Sequence, residues 1–396
     1  MTPVRIADIA DVVRGVSWDK SEASDMPREG YLPILRAGHI GDVLTTDDDL
    51  VWVPSSNVSA IQSIRAGDIA ICMSSGSASV VGKTAFAKTD WPGSVGAFCA
   101  LLRADPNQCL PEYLGFYLKS PKFRRWTSEA QGANIKNIRK SALEDFAIPL
   151  PPHPEQHRIV DILSRAEGIV RLRREAQQKA AELMPGIFLD MFGDPATNPK
   201  GWPVATIGDV IESADYGSSK KSSEDGSGLP LIRMGNVGYD GSLRLANLKH
   251  VELPPNEVEK YRLREGDILF NRTNSRELVG KTGLWDGSCG AVVASYFIRM
   301  RVERKTLNPF YLWAFMNSSH MKRVLFDTAR GAIGQANINS KELKAFPIGV
   351  PPLDRQDDFE RRSRDVGGIQ SQQSAATAKA KATFDALLAQ VFATTA

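Results

Sequence analysis

Cysteine and histidine are scarce in this chain: four and five among 396 residues. Cys72, Cys99, Cys109 and Cys289 stand far apart, and none forms a C-x-x-C pair. No Cys/His grouping has the spacing of a zinc site, so they read as small buried apolar residues in a reducing compartment. His39, His153, His157, His250 and His320 form no triad-like set. His153 and His157 are four apart with no third ligand in view, which reads as a solvated helix start. No apolar run reaches the roughly 20 residues that span a membrane, and the N-terminus lacks the apolar core of a signal peptide. A cytoplasmic protein without a disulfide framework is expected.

Two nucleotide-handling motifs are also incomplete. Val81-Gly82-Lys83-Thr84 and Val279-Gly280-Lys281-Thr282 each carry the end of a P-loop, but Ser77 and Ser275 stand where its first glycine is needed. Asn308-Pro309-Phe310-Tyr311 lacks the second proline of the N-P-P-aromatic motif of adenine methyltransferases, and no glycine-rich cofactor loop accompanies it. No clustered carboxylates mark a metal-dependent nuclease. Charge does not choose a partner either: 49 basic against 46 acidic residues give +3, which permits a basic patch without demanding one.

What is present is repetition. Leu32-Pro33-Ile34-Leu35-Arg36-Ala37-Gly38-His39-Ile40 returns as Leu229-Pro230-Leu231-Ile232-Arg233-Met234-Gly235-Asn236-Val237. Ile64-Arg65-Ala66-Gly67-Asp68-Ile69 returns as Leu263-Arg264-Glu265-Gly266-Asp267-Ile268, and the Val-Gly-Lys-Thr run follows in both. Pro111 to Leu114 matches Pro309 to Leu312, Asn134-Ile135 matches Asn337-Ile338, and Pro151-Pro152 with Gln156 matches Pro351-Pro352 with Gln356. The offset stays near 200 throughout, far beyond a solenoid period of about 20 to 50 residues. The chain is a tandem duplication of a domain and its appendage.

Each copy opens with about 150 residues of short apolar runs punctuated by turn residues. Ile69 to Met73 and Ile268 to Phe270 read as buried strands entered through Gly-Asp turns. The segments around Tyr113–Leu118 and Tyr311–Met316 read as helices. A Pro-Pro break then sets the entry to a long helical pattern. Ile159, Ile162, Ala166, Ile169, Ala176, Ala180, Leu183 and Ile187 fall on a three-four spacing, the mark of a coiled-coil seam, imperfect at Arg173. Phe359, Val366, Ile369, Ala376, Ala380 and Leu387 repeat it more weakly around Gly367-Gly368. A narrow stripe on a rod of roughly 50 Å needs a partner. The other copy's rod, antiparallel, is the economical choice, and packing back on the parent head is the alternative. The expected fold is α+β: two similar mixed α/β domains, at 1–152 and 193–350, separated by long helices at 153–192 and 351–396 that pair as an antiparallel coiled coil with pseudo-twofold symmetry.

Between the buried strand and the Val-Gly-Lys-Thr turn lies a polar loop in each copy. It is Ser74-Ser75-Gly76-Ser77-Ala78-Ser79 in the first and Asn271-Arg272-Thr273-Asn274-Ser275-Arg276 in the second. Small residues allow close backbone approach, and hydroxyl, amide and guanidinium groups match phosphate and base-edge patterns. An ordinary surface loop is the competing reading. Lys83 and Lys281 would add a positive charge for phosphate. Arg36 with His39, and Arg233 with Asn236, either pin a turn or touch a ligand backbone. Asn134, Lys136, Asn137, Arg139 and Lys140, with Asn337, Asn339 and Lys341, serve either helix capping or phosphate contact.

The ordered, duplicated set of Arg-x-Gly-(His/Asn)-(Ile/Val), Gly-Asp-Ile, Val-Gly-Lys, Pro-Pro-x-x-x-Gln and a long helix resembles the specificity subunit of type I restriction–modification enzymes. The resemblance covers essentially the whole chain. It implies that each head is a target recognition domain reading one half of a split double-stranded DNA site. It implies helices that set the spacer and dock methyltransferase subunits, two of them, with Ile159, Ile162, Ile169, Leu183, Phe359, Val366, Ile369 and Leu387 on the helical part. The resemblance also implies that a restriction subunit using ATP joins some such complexes; S-adenosylmethionine and ATP belong to the partners, and no cofactor or metal to this chain. The DNA-facing candidates are Ser75, Ser77 and Ser79 in the first loop and Asn271, Arg272, Thr273, Asn274 and Arg276 in the second, with Arg36, His39, Lys83, Lys136, Arg139, Arg233, Asn236, Lys281, Asn339 and Lys341 around them. The alternatives are a coiled-coil scaffold, a targeting subunit of another modification or defence complex, and a standalone enzyme.

Overall fold

The computed structural model describes residues 3–77, 79–129, 136–224, 226–332 and 335–394. The chain forms two compact units, residues 1–174 with 375–396 and residues 175–374. Each long helix, His153–Phe192 and Leu353–Thr394, therefore contributes one part to each unit.

Head one is built on a four-stranded antiparallel sheet in the order Ala10–Arg14, Cys99–Ala104, Ile69–Cys72, Thr84–Phe86. Its two central strands are almost wholly apolar, as a sheet covered on both faces requires. Beside it lies a mixed sheet of Val51–Pro54, Tyr31–Leu35 and Ser94–Val95. Head two repeats both. Ile211–Tyr216, Phe297–Val302, Ile268–Asn271 and Thr282–Leu284 make the four-stranded sheet. Lys249–Val251, Leu229–Ile232 and Val292–Val293 make the mixed one. Pro3–Arg5 pairs with Ala147–Pro149, and Val204–Thr206 with Pro347–Gly349, so in each head the first strand closes on the last. The duplication is thus a duplication of topology.

The repeated motifs have structural reasons. Asp68 of Gly67-Asp68-Ile69 accepts from the Arg65 amide at 2.8 Å and pairs with the Arg103 guanidinium at 2.7 Å. Asp267 does the same with the Arg264 amide at 2.9 Å and with Arg301 at 2.9 Å. Both carboxylates are buried, so this pairing offsets their desolvation. Gly67 and Gly266 take φ of +91° and +90°, the left-handed region where glycine is preferred. Helices Pro111–Lys119 and Pro309–Asn317 start with proline at the first turn, where the missing N–H costs nothing.

Gln156 explains the Pro-Pro-x-x-x-Gln element. Its Oε1 accepts from the Leu110 amide at 2.8 Å, and its Nε2 donates to Pro151 O at 2.9 Å. Gln356 repeats this with the Asn308 amide at 2.8 Å and Pro351 O at 2.7 Å. Tyr113 and Tyr311 hydroxyls donate to Pro149 O and Gly349 O. A buried amide therefore ties each head to the helix that leaves it.

In each unit the two long helices run side by side in opposite directions. In the first unit Ile159 and Leu163 share a core with Leu388 and Phe392, and Thr377 Oγ1 donates to Arg173 O at 3.3 Å. In the second, Phe188 and Phe192 pack on Phe359, and Gln370 Nε2 donates to Ala180 O at 2.9 Å. The heads join the same cores. Tyr117 meets Phe392 edge-on at 5.0 Å, and Tyr311 meets Phe192 at 4.8 Å. Ile159 and Leu163 sit in the core of head one and Phe359 in that of head two, so helix pairing and packing on the parent head occur together.

This corrects the seam. The buried stripe runs through Ile159, Leu163, Val170 and Ala180, then Phe188 and Met191. Ile162 is only half-buried, while Ile169 and Leu183 are 53% and 43% exposed. On the second helix Phe359 and Val366 are buried as expected, but Ile369 is 43% exposed and Leu387 is half-buried beside buried Leu388. The aromatic residues of each head rotate the buried stripe by about one residue, because they supply the largest apolar surface.

Candidate nucleic-acid interface

In both heads the polar loop leaves the second central strand, and its first residues pair with another short strand. Ser74–Ser75 pairs with Lys136–Asn137, and Thr273–Asn274 pairs with Gln335–Asn337. Ile138 N donates to Met73 O and Ile338 N to Arg272 O, extending the junction. The two stretches that looked separate in sequence, loop and polar-basic segment, thus form one surface in each head. Asn134, Ile135, Ala78 and the Lys136 side chain lie outside the described residues.

In head one the loop's serines bond to one another. The Ser77 amide donates to Ser75 Oγ at 3.1 Å, and Ser77 and Ser79 hydroxyls lie 3.0 Å apart. Ser77 and Ser79 are exposed and Ser75 is half-buried. The neighbouring turn is held by His39, which is buried. Its Nδ1 accepts from the Arg36 amide at 2.9 Å while Nε2 lies 2.7 Å from Asp48 O, so the Nε2–H tautomer satisfies both. Arg36 donates to Asp49 O at 3.0 Å and pairs with the Asp49 carboxylate. Arg36, His39, Ser74 and Ser75 line an open cavity of about 1000 Å³ with Trp18, Thr45 and Phe98. Lys83 is half-buried, and Arg139 is exposed at the start of helix Lys140–Glu144.

Head two carries more charge and more aromatic surface. Asn236 takes the place of His39 and does its work: its Oδ1 accepts from the Arg233 amide at 2.9 Å, and its Nδ2 donates to Arg244 O at 3.0 Å. The Arg-x-Gly-(His/Asn) element is therefore a pinned turn, with the arginine side chain left to act outside it. Arg233 Nε is buried without a hydrogen-bond partner among the described residues. Asn271 is fully buried and braces the loop, its Nδ2 donating to Thr273 O and Tyr296 O and its Oδ1 accepting from Asn274 at 2.9 Å. The Arg272 guanidinium lies over the Tyr216 ring at 4.8 Å, and its Nε has no hydrogen-bond partner among the described residues. Arg276 lies over Phe326 at 4.3 Å and donates to Phe326 O. Thr273 Oγ1 bonds Asn337 at 3.1 Å. Stacking keeps both guanidiniums extended at little entropic cost.

Asn271, expected to face DNA, is instead buried with its side chain bonded inside the loop, and two further expectations change here. Lys281 is only 8% exposed, and its ammonium donates to Met234 O at 2.7 Å. Burial, with Arg244 adding to it, holds its pKa below the usual lysine value. It ties the loop exit to the Arg233 turn and is not free for phosphate. Asn339 is a helix cap: its Oδ1 accepts from the Lys341 and Glu342 amides at 2.9 and 3.0 Å, and Glu342 returns the bond to its amide. Lys341 is exposed beside it.

Several contributors were not visible in sequence. Lys322 reaches Gly280 O at 3.1 Å and lies over the Tyr239 ring at 4.7 Å. Burial pushes its pKa down to about 8, with Asp240 opposing and Lys281 adding to the shift. Head one has Arg124 at the matching point, also lowered by burial and opposed by Asp42. Exposed rings at Tyr216, Phe326 and Tyr239 lie against Arg272, Arg276 and Lys322, and Phe98 and Tyr296 are exposed at the base of the two loops. The one signal for part of this set is that Phe98 and Tyr296 keep the offset of the duplication. Among the described residues no group of His, Cys, Asp and Glu is placed to hold a metal ion, and no helix is long and apolar enough to cross a membrane.

The family model described as "Type I restriction modification DNA specificity domain" matches residues 1–182 and 199–359. The chain is 28% identical to the type I restriction enzyme EcoKI specificity subunit of Escherichia coli, with 98% of this chain and 87% of that protein aligned. It is 30% identical to the StySPI specificity subunit of Salmonella potsdam, over 90% and 80%. Among solved structures, a chain from work on complex assembly and conformational transition of the type I R-M system matches with a TM-score of 0.57 at 20% identity, covering 98% of this chain and 96% of that one. The type I restriction-modification S subunit from M. genitalium matches with 0.50 at 16%, covering 99% and 96%. These two likenesses bear on the fold.

Proposed function

From the premise that this chain belongs to the type I restriction modification DNA specificity domain family, matched in both halves, we infer that each head reads one half of an interrupted duplex site. The observation that carries this is the pairing of an identical scaffold with an unlike reading surface. The turn pinned by His39 or Asn236 and the amide junction at Gln156 or Gln356 are the same in both heads, while the loops are serine-rich in one and arginine-rich in the other. Such a chain selects two different half-sites.

The loop residues assigned to base edges are Ser75, Ser77 and Ser79 in head one and Arg272, Thr273, Asn274 and Arg276 in head two. Arg36, Lys83, Lys136 and Arg139, with Arg233 and Lys341, are assigned to phosphates. His39, Asn236, Asn271, Lys281 and Asn339 position these groups from inside the fold. Arginine and asparagine make bidentate pairs with guanine and adenine worth about 1 to 3 kcal/mol each. Serine hydroxyls discriminate less, so head one depends more on shape and apolar contact. The chain supplies recognition, and the methyl-transfer chemistry belongs to two partner methyltransferase subunits that bind S-adenosylmethionine. A restriction subunit using ATP joins the same assembly, and the long helices act as its spacer and dock. The exposed Ile169, Leu172, Leu183 and Ile369 are available to partners on those helices.

The test is genome-wide methylation mapping in cells with and without this chain, beside salt titrations of DNA binding by the purified complex. One interrupted, asymmetric motif that vanishes without the chain, with affinity falling steeply in salt, is expected. Methylation by the purified chain alone, or an unchanged motif in its absence, contradicts the assignment.

A further inference from the structure

Phe98 is 69% exposed although its backbone carbonyl is held by two hydrogen bonds. Its carbonyl accepts from the Met73 and Ser74 amides at 2.8 and 3.0 Å, so the ring and the polar loop move as one piece. The next residue, Cys99, begins a central strand, and its amide donates to Gly96 O at 2.8 Å. Gly15 packs on the Gly96 backbone so closely that no Cβ fits there. Nothing loose has let this ring into solvent; the frame presents it. It lines the cavity of about 1000 Å³ together with Trp18, Arg36, Ser74 and Ser75.

Head two places Tyr296 at the same point, 42% exposed. Its carbonyl accepts from the Arg272 amide at 2.9 Å and from Asn271 Nδ2 at 3.2 Å. The two heads therefore keep an exposed aromatic ring at the base of a loop in which, apart from Ser77 and Ser275, the residues differ. A single exposed apolar residue needs no explanation; the same one displayed twice from a rigid frame does.

The ring chemistry limits what Phe98 can touch. It has no polar atom for phosphates or for donor and acceptor edges. The apolar feature that the major groove offers is the thymine methyl. We propose that Phe98 reads a thymine methyl in the half-site bound by head one, pressed against the base edges while Arg36 faces the phosphates. The occupant is duplex DNA, the polymer that carries this methyl group: the ring is flanked by the Ser74 and Ser75 hydroxyls and by Arg36, whose pairing with Asp49 a phosphate replaces on binding. Tyr296 adds a hydroxyl at the same position, which suits head two to a polar base edge. The inference rests on the reading of the chain as a DNA specificity subunit and deepens it by naming the contact.

The experiment uses the chain assembled with its methyltransferase subunits and duplexes carrying the mapped site. Affinities are measured for the native chain and for Phe98→Ala, on duplexes in which each thymine of half-site one is replaced in turn by uracil. The proposal expects Phe98→Ala to bind about three- to tenfold more weakly, and one uracil to cost the native chain a similar factor. On Phe98→Ala that uracil then changes affinity less than twofold, and Phe98→Leu recovers part of the loss. Additive losses, no uracil-sensitive position, or a half-site without an A·T pair overturn it. Unchanged DNA affinity with weakened assembly also overturns it and assigns the ring to a protein partner. If Phe98→Ala is neutral while loop variants shift the motif, the thymine contact alone fails. If neither changes recognition, the DNA-reading assignment fails with it.

Discussion

In head one the side chains of the loop after the central strand meet one another through serine hydroxyls, and the ring at its base is a bare phenyl group. In head two the matching loop is braced by a buried asparagine, and its arginines are stacked on Tyr216 and Phe326. Beneath both, the pinned turn, the paired Asp–Arg of the strand entry and the glutamine junction are repeated bond for bond. A duplicated chain has thus kept what holds the reading surface and diverged in the surface itself. Burial is the reason. A change at Asp68 or Gln156 strands buried polar groups, whereas a change at Ser77 or Arg276 alters only what solvent or a ligand meets.

The largest effects should fall on shared features and be similar in the two heads. Phe392→Ala and Phe192→Ala each remove a buried ring packed between helix and head, and about 3 to 5 kcal/mol of stability should be lost in each case. Chemical denaturation with a probe in each head measures this, and a loss in one head only would break the equivalence. Gln156→Ala and Gln356→Ala should follow at about 1 to 3 kcal/mol each, since an amide and a carbonyl are left unpaired.

Effects on the differing features should be smaller and one-sided. Arg272→Ala should cost about 1 to 3 kcal/mol of discrimination at one position of the second half-site and leave the first unchanged. The heads should also differ in alkali. The Lys322 pKa is lowered to about 8 in the folded chain against 10.5 ordinarily. Between those values the unfolded chain holds the extra proton, so stability rises with pH. Native chain and Lys322→Met, compared by denaturation from pH 7 to 10.5, should differ most at the low end, and the gap should close through that window. Arg124 at the matching point of head one stays protonated throughout, and Arg124→Met should show no such trend. The smallest effect belongs to Ile169→Asp, expected within about 0.5 kcal/mol of the native chain, whereas its buried neighbour Val170→Asp should be severely destabilising.

The sequence made the duplication, the order of elements and the polar loops legible, because turn glycines, prolines and buried strands leave local marks. The helical seam was displaced because Ile162 and Leu163, and Ile169 and Val170, offer adjacent apolar stripes on one helix. Only the aromatic residues of the heads decide between them, and they are distant in sequence. Lys281 misled for a related reason: a lysine after glycine reads as a phosphate ligand until its ammonium is seen on Met234 O. Apart from the shared offset of Phe98 and Tyr296, Lys322 and the exposed rings gave no local signal, since a helix or a turn brings them to the loop from elsewhere in the chain.

The central claim, that one scaffold is used twice to read two different half-sites, is tested most directly by methylation mapping of Arg272→Ala beside the loop replacement Ser75→Asn. Each variant is predicted to alter the motif on its own side of the interruption and to leave the other side intact. Changes on both sides from either variant, or on neither side from both, would contradict the account.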